Sequence, residues 1–167
     1  MMREMRRKRQ ALGAEEIRRI LERNTCGVLA VTGEEGFPYA VPLSYTAQGD
    51  KIYFHCAKTG HKVDAIRQNA KVSFCVVDQD QIVPEKYTTY FRSVIAFGTA
   101  AILEDEAQIR QALESLGQKY APGESAEHLH AEIEKELPAV CMIEMTVEHI
   151  TGKEAIELKR RAEAEAK

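Results

Sequence analysis

The 167-residue sequence has no tryptophan and no unbroken apolar stretch near the ~20 residues that a membrane-spanning helix requires. Its opening segment, Met1 to Gln10, is basic and lacks the apolar centre of a secretory signal, so a cytoplasmic protein is expected. Cysteines are few and scattered. Cys26, Cys56, Cys75 and Cys141 each sit in or beside an apolar run, without the close pairing of zinc ribbons or redox dithiols, and are expected to be small buried hydrophobes. A formal net charge of −3 supplies no dominant positive field, which argues against a dedicated nucleic-acid binder. A glycine-rich dinucleotide fingerprint is missing too, because Gly33 and Gly36 separate two strand-like runs instead of opening a helix. No internal repeat is visible.

What is present is an ordinary globular composition, 44% apolar and 29% charged. The length suits one domain, expected over residues 1–152, with 153–167 as a mixed-charge, alanine-rich helical or flexible tail. Arg3, Arg6, Arg7, Lys8 and Arg9 face one acid, Glu4, and are expected to be solvated or packed on a partner subunit.

Helical spacing of Ile17, Ile20 and Leu21 predicts a helix over Ala14–Asn24, with Glu15 and Glu16 complementing its dipole. Strands are expected at Cys26–Thr32, at Phe37–Ala47 and at Lys51–Cys56, the last with Ile52, Phe54 and Cys56 on one face and Tyr53 and His55 on the other. Pro42 inside the second strand predicts an edge, a bulge or a barrel rim. A helix from His61 through Asn69 turns Val63 and Ile66 inward, and Lys71–Val77 forms the fourth strand. Asp78–Glu85 reads as a polar connection and Tyr87–Leu103 as a long strand in which Gly98 marks a bulge or close approach. Helices over Asp105–Tyr120 and Ser125–Leu137 precede a last strand, Ala139–Ile150, stopped by Thr151-Gly152. Hairpin-joined strands without repeated crossovers favour a mainly β, antiparallel barrel with added helices (α+β) over a doubly wound sheet.

Two segments carry chemistry. From Phe54 to Lys62 the chain leaves a strand, turns at Gly60 and opens a helix, whose free N–H groups and dipole suit a phosphate. Lys62 adds charge, Thr59 a hydroxyl, and Gly60 permits close backbone approach; the alternative is an ordinary solvent-facing turn. The second, Tyr87 to Ile95, offers aromatic rings, hydroxyls and Arg92 as walls and donors for a planar cofactor, or is simply a strand with an exposed arginine. A shared metal at His55, Cys56 and His61 is disfavoured, since neighbours on a strand point to opposite faces. His128 and His130, two apart on a helix, share no face either.

The ordered set Tyr39–Tyr45, Lys51–His55, Gly60-His61-Lys62 and Phe91–Gly98, closing on Ile150–Lys153, resembles the nitroimidazole-resistance (Nim-type) branch of the pyridoxamine 5′-phosphate oxidase-like family. This resemblance implies an FMN-binding split barrel and a homodimer with FMN in two clefts between subunits. It implies that Val41, Pro42, Leu43 and Ser44 lie along the flavin ring, and that His55, Ala57, Lys58, His61 and Lys62 surround the phosphate and ribityl chain. Lys62 would be the phosphate cation, with Arg92 and Ser93 approaching the same cofactor. His61 would be the catalytic proton donor; bracing the helix start is its structural alternative. The implied activity is FMN-dependent reduction of a small aromatic or nitroimidazole electron acceptor. True pyridoxamine-phosphate oxidation is not expected, because the tail lacks an arginine-rich substrate-binding end. A flavin- or haem-binding module without turnover is the alternative, with His149 or His55 as axial ligand.

Overall fold

Seven strands hydrogen-bond into one sheet in the order β2-β1-β5-β6-β7-β4-β3, every pair antiparallel. Their ranges are β1 Cys26–Thr32, β2 Pro38–Ser44, β3 Thr46–Gln48, β4 Lys51–Ala57, β5 Lys71–Val83, β6 Thr88–Ile102 and β7 Val140–Glu154. The helices are α1 Ala14–Arg23, α2 His61–Gln68, α3 Glu106–Tyr120, α4 Ala126–Glu136 and α5 Ile156–Glu165. The computed structural model describes Met2 and residues 4–165, so Arg3 of the basic arm and residues 166–167 of the tail lie outside the described residues. The sheet curls until β2 comes up against β4, giving the antiparallel split barrel. No helix among the described residues is long and apolar enough to cross a membrane.

Periodicity explains the core. Alternation in β1, β4 and β5 turns Leu29, Ile52, Phe54, Phe74 and Val76 inward, and α1 closes one end with Ile17, Ile20 and Leu21. Tyr45 and Phe54 both meet Phe74 edge-on, with centroids 4.8 and 5.0 Å away. Outward positions stay open, which corrects the reading of Cys26: it is exposed because it shares the outer face of β1 with Val28, whereas Cys141 is buried.

Helix ends follow local chemistry. Asp105 and Ser125 cap α3 and α4 by accepting the Gln108 and His128 N–H groups at 2.9 and 3.1 Å. Asn24 ends α1 by donating to the Ile20 carbonyl at 2.9 Å.

Three boundaries differ from the sequence reading. The expected Phe37–Ala47 strand breaks at Tyr45, where the chain changes partner from β1 to β4. The expected polar connection is strand as far as Val83, because β6 keeps pairing beyond an irregularity at Val77/Gln79, from Gln79↔Arg92 to Val83↔Thr88. Gly152 does not stop β7. A Cβ there would lie 2.9 Å from Leu12 and 2.7 Å from Ile17, so the glycine admits the N-terminal segment, whose Leu12 N–H bonds the Gly152 carbonyl.

An ion-pair network locks the β5 irregularity. Asp78, with a side chain 6% exposed, accepts from Arg23 at 2.6 Å, Asn24 at 2.8 Å and Arg92 at 3.4 Å. Burial alone would raise its pKa, but these donors outweigh it and hold the carboxyl below its ordinary value. A depressed folded-state pKa contributes stability above the unfolded value of about 3.9, lost as pH falls through the folded value. Unfolding free energy from urea titrations should therefore decline on acidification below about pH 5, and less steeply in Asp78→Asn. Identical pH slopes in the two proteins would refute this role for Asp78.

Candidate functional site

The site is built where β2, the end of β4 and the start of α2 meet. β2 ends the sheet order, with one flank on β1 and the other free. The Gly33 N–H bonds the Phe37 carbonyl at 2.7 Å, so odd-numbered residues of this ladder turn their backbone toward β1. Ala40, Pro42 and Ser44 therefore turn theirs to the free edge, which is why Pro42 breaks no ladder bond. Side chains alternate as well: Val41 and Leu43 pack on the core, and Pro42 and Ser44 are exposed.

From the end of β4, His55 and Ala57 are exposed and pair with Met142 and Val140. Lys58 and Thr59 follow, also exposed, and Gly60 then adopts φ +134° with nothing within 4 Å of its Cβ position. This conformation suits glycine, and it opens α2 with no side-chain cap, unlike the capped α3 and α4. The first N–H groups of α2 are thus left for a ligand. Lys62 is half-buried near Cys56; among the described residues neither it nor Lys58 forms an ion pair. An uncapped helix start, an open glycine and unpaired lysines before and after it fit a phosphate. The exposed β2 edge, with N–H and C=O groups at Ala40 and Ser44 and a lone C=O at Pro42, fits the hydrogen-bonding edge of a flavin ring.

His61 joins these parts. Its imidazole stacks on Tyr39 of β2 with centroids 4.2 Å apart and planes 17° off parallel. Tyr39 was not among the expected site residues. Its position two and four residues before Val41 and Leu43, on the same face, is the signal that could have found it.

Burial pushes the Cys56 thiol up to about 11; neighbouring Cys141 adds to the shift and Lys62 opposes it. Such a thiol is a poor nucleophile, consistent with a packing role for this cysteine.

Arg92 and Ser93 stand apart from β2 within the chain. Pro42, Val28, Cys75 and Ile95 form one cross-strand row, so β1 and β5 hold β6 about 14 Å from β2. The Arg92 guanidinium is tied to Asp78 and to Glu154, the latter at 3.2 Å. Of the two histidines considered for haem, His149 has its Nε2 enclosed without a partner, whereas His55 is open.

A cleft of about 410 Å³ adjoins Ser44 and His55 beneath α3 and α4. Its Tyr120 wall is pinned: the hydroxyl accepts the Tyr45 N–H at 2.8 Å and donates to the Thr25 carbonyl. Beside it, Lys119 lies 3.8 Å from the Tyr45 ring centroid, and burial draws its pKa down to about 8 despite Glu22.

Residues 13–154 match the family described as pyridoxamine 5′-phosphate oxidase. No curated protein sequence matches the chain. Among solved structures it is similar to a candidate 5-nitroimidazole antibiotic resistance protein from Bacteroides thetaiotaomicron, at 22% identity and TM-score 0.72 over 86% of this chain and 85% of that one. It is also similar to a conserved hypothetical protein from Mycobacterium tuberculosis, at 18% identity and TM-score 0.79 over 90% of each chain. An FAD and haem binding protein from Mycobacterium smegmatis aligns at 22% identity and TM-score 0.72, over 88% of this chain and 73% of that one.

Proposed function

We propose, from the premise that this chain belongs to the pyridoxamine 5′-phosphate oxidase family, that it holds FMN between two copies of itself and passes electrons to small aromatic acceptors, nitroimidazoles among them. The observation that carries the reading is the uncapped start of α2, with Gly60 at φ +134° and Lys62 beside it. Lys62, Lys58 and the first N–H groups of α2 hold the phosphate. His55 and Ala57 lie along the ribityl chain, and the free edge of β2 at Pro42 and Ser44 meets the ring; Val41 and Leu43, expected to do so as well, turn their backbone to β1 and their side chains to the core instead.

The outer face of the sheet supports a second copy. Val28, Val77 and Ile95 are 38, 59 and 39% exposed there, beside Pro42 and Cys75 of the same row. An apolar strip of this kind marks an interaction surface. Ser93 lies on the same face as Ile95, so a partner packed here brings Ser93 toward a flavin that its own β2 cannot share with it, whereas Arg92 points to the opposite face and stays with Asp78 and Glu154. When bound, FMN supplies the redox chemistry, and this chain's residues place it and deliver protons.

The names of the Bacteroides and M. smegmatis structures bear on substrate and cofactor class respectively. Haem is disfavoured at His149 by its enclosed Nε2, which leaves His55 as the one open histidine of the pair.

The test is to purify the protein, record its absorption spectrum, identify the released cofactor by mass, and titrate FMN into Lys62→Ala. A flavin spectrum is expected, with Kd raised roughly ten- to a hundredfold by loss of a charge-assisted hydrogen bond, about 1.5–3 kcal/mol. Exposed Lys71→Ala serves as control. FMN affinity unchanged in Lys62→Ala would remove the phosphate assignment, and a haem band with no flavin would replace the cofactor.

A further inference from the structure

The cleft beneath α3 and α4 has a chemistry of its own. Leu113, Leu116, Ile133 and Val140 make its walls apolar, and the pinned Tyr120 ring adds an aromatic side. Its charged and titratable lining consists of Glu132, Glu136, His55 and Tyr120, with no lysine or arginine. The formal charge of the lining is therefore negative, and Lys119 lies outside it with its Nζ 5.9 Å from the Tyr120 ring centroid. Glu136 forms no ion pair among the described residues, and Glu132 has its one partner in the exposed Lys135, 3.1 Å away.

Contacts within the chain tie the walls of the cleft together. Arg110 of α3 holds Glu134 of α4 and its own helix's Glu106, fastening the helices to each other. The Tyr120 anchors fasten α3 to the chain between α1 and β3. A pre-formed cleft of about 410 Å³ falls within the range of small-molecule sites and accommodates a one- or two-ring compound. Ser44, the last residue of the β2 edge, is part of its lining.

We infer that this cleft is the binding site for the electron-accepting substrate, and that it selects a flat aromatic or heteroaromatic ring bearing a positive charge. The ring lies between the Leu113/Leu116 and Ile133/Val140 walls, and the cationic group faces Glu132 and Glu136. His55 and Ser44 meet the ring's opposite end. The link to electron transfer rests on the flavin reading above; the charge-selective binding does not.

Three indoles of like shape separate charge from size: tryptamine (cation), tryptophol (neutral) and indole-3-acetate (anion). Each is titrated calorimetrically at low salt into the full-length protein as purified, with flavin content measured in every sample. Tryptamine should bind about five- to tenfold tighter than tryptophol, the scale set by two partly exposed carboxylates, and indole-3-acetate weakest. In Glu132→Gln/Glu136→Gln, flavin content should be unchanged and the preference for tryptamine should vanish. Leu113→Trp, which fills the cleft, should weaken all three. Equal affinity for the three probes, a preference that survives Glu132→Gln/Glu136→Gln, or no binding by the parent protein would overturn the assignment. Tryptamine selectivity in a flavin-free protein would sink the flavin reading and leave the cleft; a flavoprotein that ignores tryptamine would do the reverse.

Discussion

Replacing His61 by alanine is expected to leave flavin content intact and to slow single-turnover reduction of a nitroimidazole by the pre-reduced protein about a hundredfold, the lower range for loss of a general acid. The argument begins with the reaction. A nitro group that takes up two electrons on the way to a nitroso group must also take up two protons and lose water. A positioned proton donor therefore matters as much as the electron source.

The proposed function gives that task to His61. It occupies the first turn of α2, beside the proposed phosphate site, and Tyr39 holds its ring 4.2 Å away in near-parallel stacking. Because the stack is made by ring faces, the imidazole nitrogens need not be consumed by it. Following oxidation of the photoreduced protein by 2-nitroimidazole in a stopped-flow instrument avoids any need for the physiological electron donor. His61→Gln separates roles: it retains a hydrogen-bonding side chain but cannot act as an acid. Should both variants match the parent rate, His61 is a brace for the helix start.

The second large effect concerns the frame. Gly98→Ala is expected to lower unfolding free energy by about 3 kcal/mol, the upper range for overpacking in a tight interior. Register slips between Phe97↔His149 and Gly98↔Val147, leaving Glu148 as the extra residue of a bulge. A Cβ on Gly98 would stand 1.9 Å from the Thr146 carbonyl oxygen and 3.2 Å from the Val147 Cα. Those are backbone atoms and cannot rotate aside, so β6 and β7 must part in the middle of the sheet. Urea titration of Gly98→Ala against Gly123→Ala, where a Cβ meets nothing within 4 Å, isolates the effect. Equal midpoints and slopes for the two variants would show that the bulge relaxes freely.

Much of the frame was legible. The helix over Ala14–Asn24, the alternation of Ile52 and Phe54 against His55, and the role of Gly98 follow from patterns within a few residues, which fix local conformation and buried face together. The turn from Ala57 to Lys62 was equally visible, because a strand end, a glycine and a helix start are local events. Pro42 announced an edge position, since its missing N–H admits few others.

Arg92 shows the other side. From its neighbours it reads as a free donor in an aromatic patch, yet its charge goes to Asp78 and Glu154, fourteen and sixty-two residues away in the chain. The same holds for residues 78–83, polar in composition but strand because β6 lies alongside. The stacking of Tyr39 on His61 depends on the β1–β2 hairpin returning to the start of α2. The cleft depends on helices inserted between β6 and β7 folding back over the ends of β2 and β4.

By itself the sequence determined the order and type of the elements (though not where β2, β5 and β7 end), which faces are apolar, and where a strand passes through a glycine turn into a helix start. Each of these depends on steric and hydrophobic periodicities that act over a turn or a few residues. Only the tertiary structure decided which charges are neutralised, which aromatic ring holds His61, and which apolar and acidic side chains enclose one volume. Those outcomes turn on distances between segments remote in the chain, and such distances exist only once the sheet has closed.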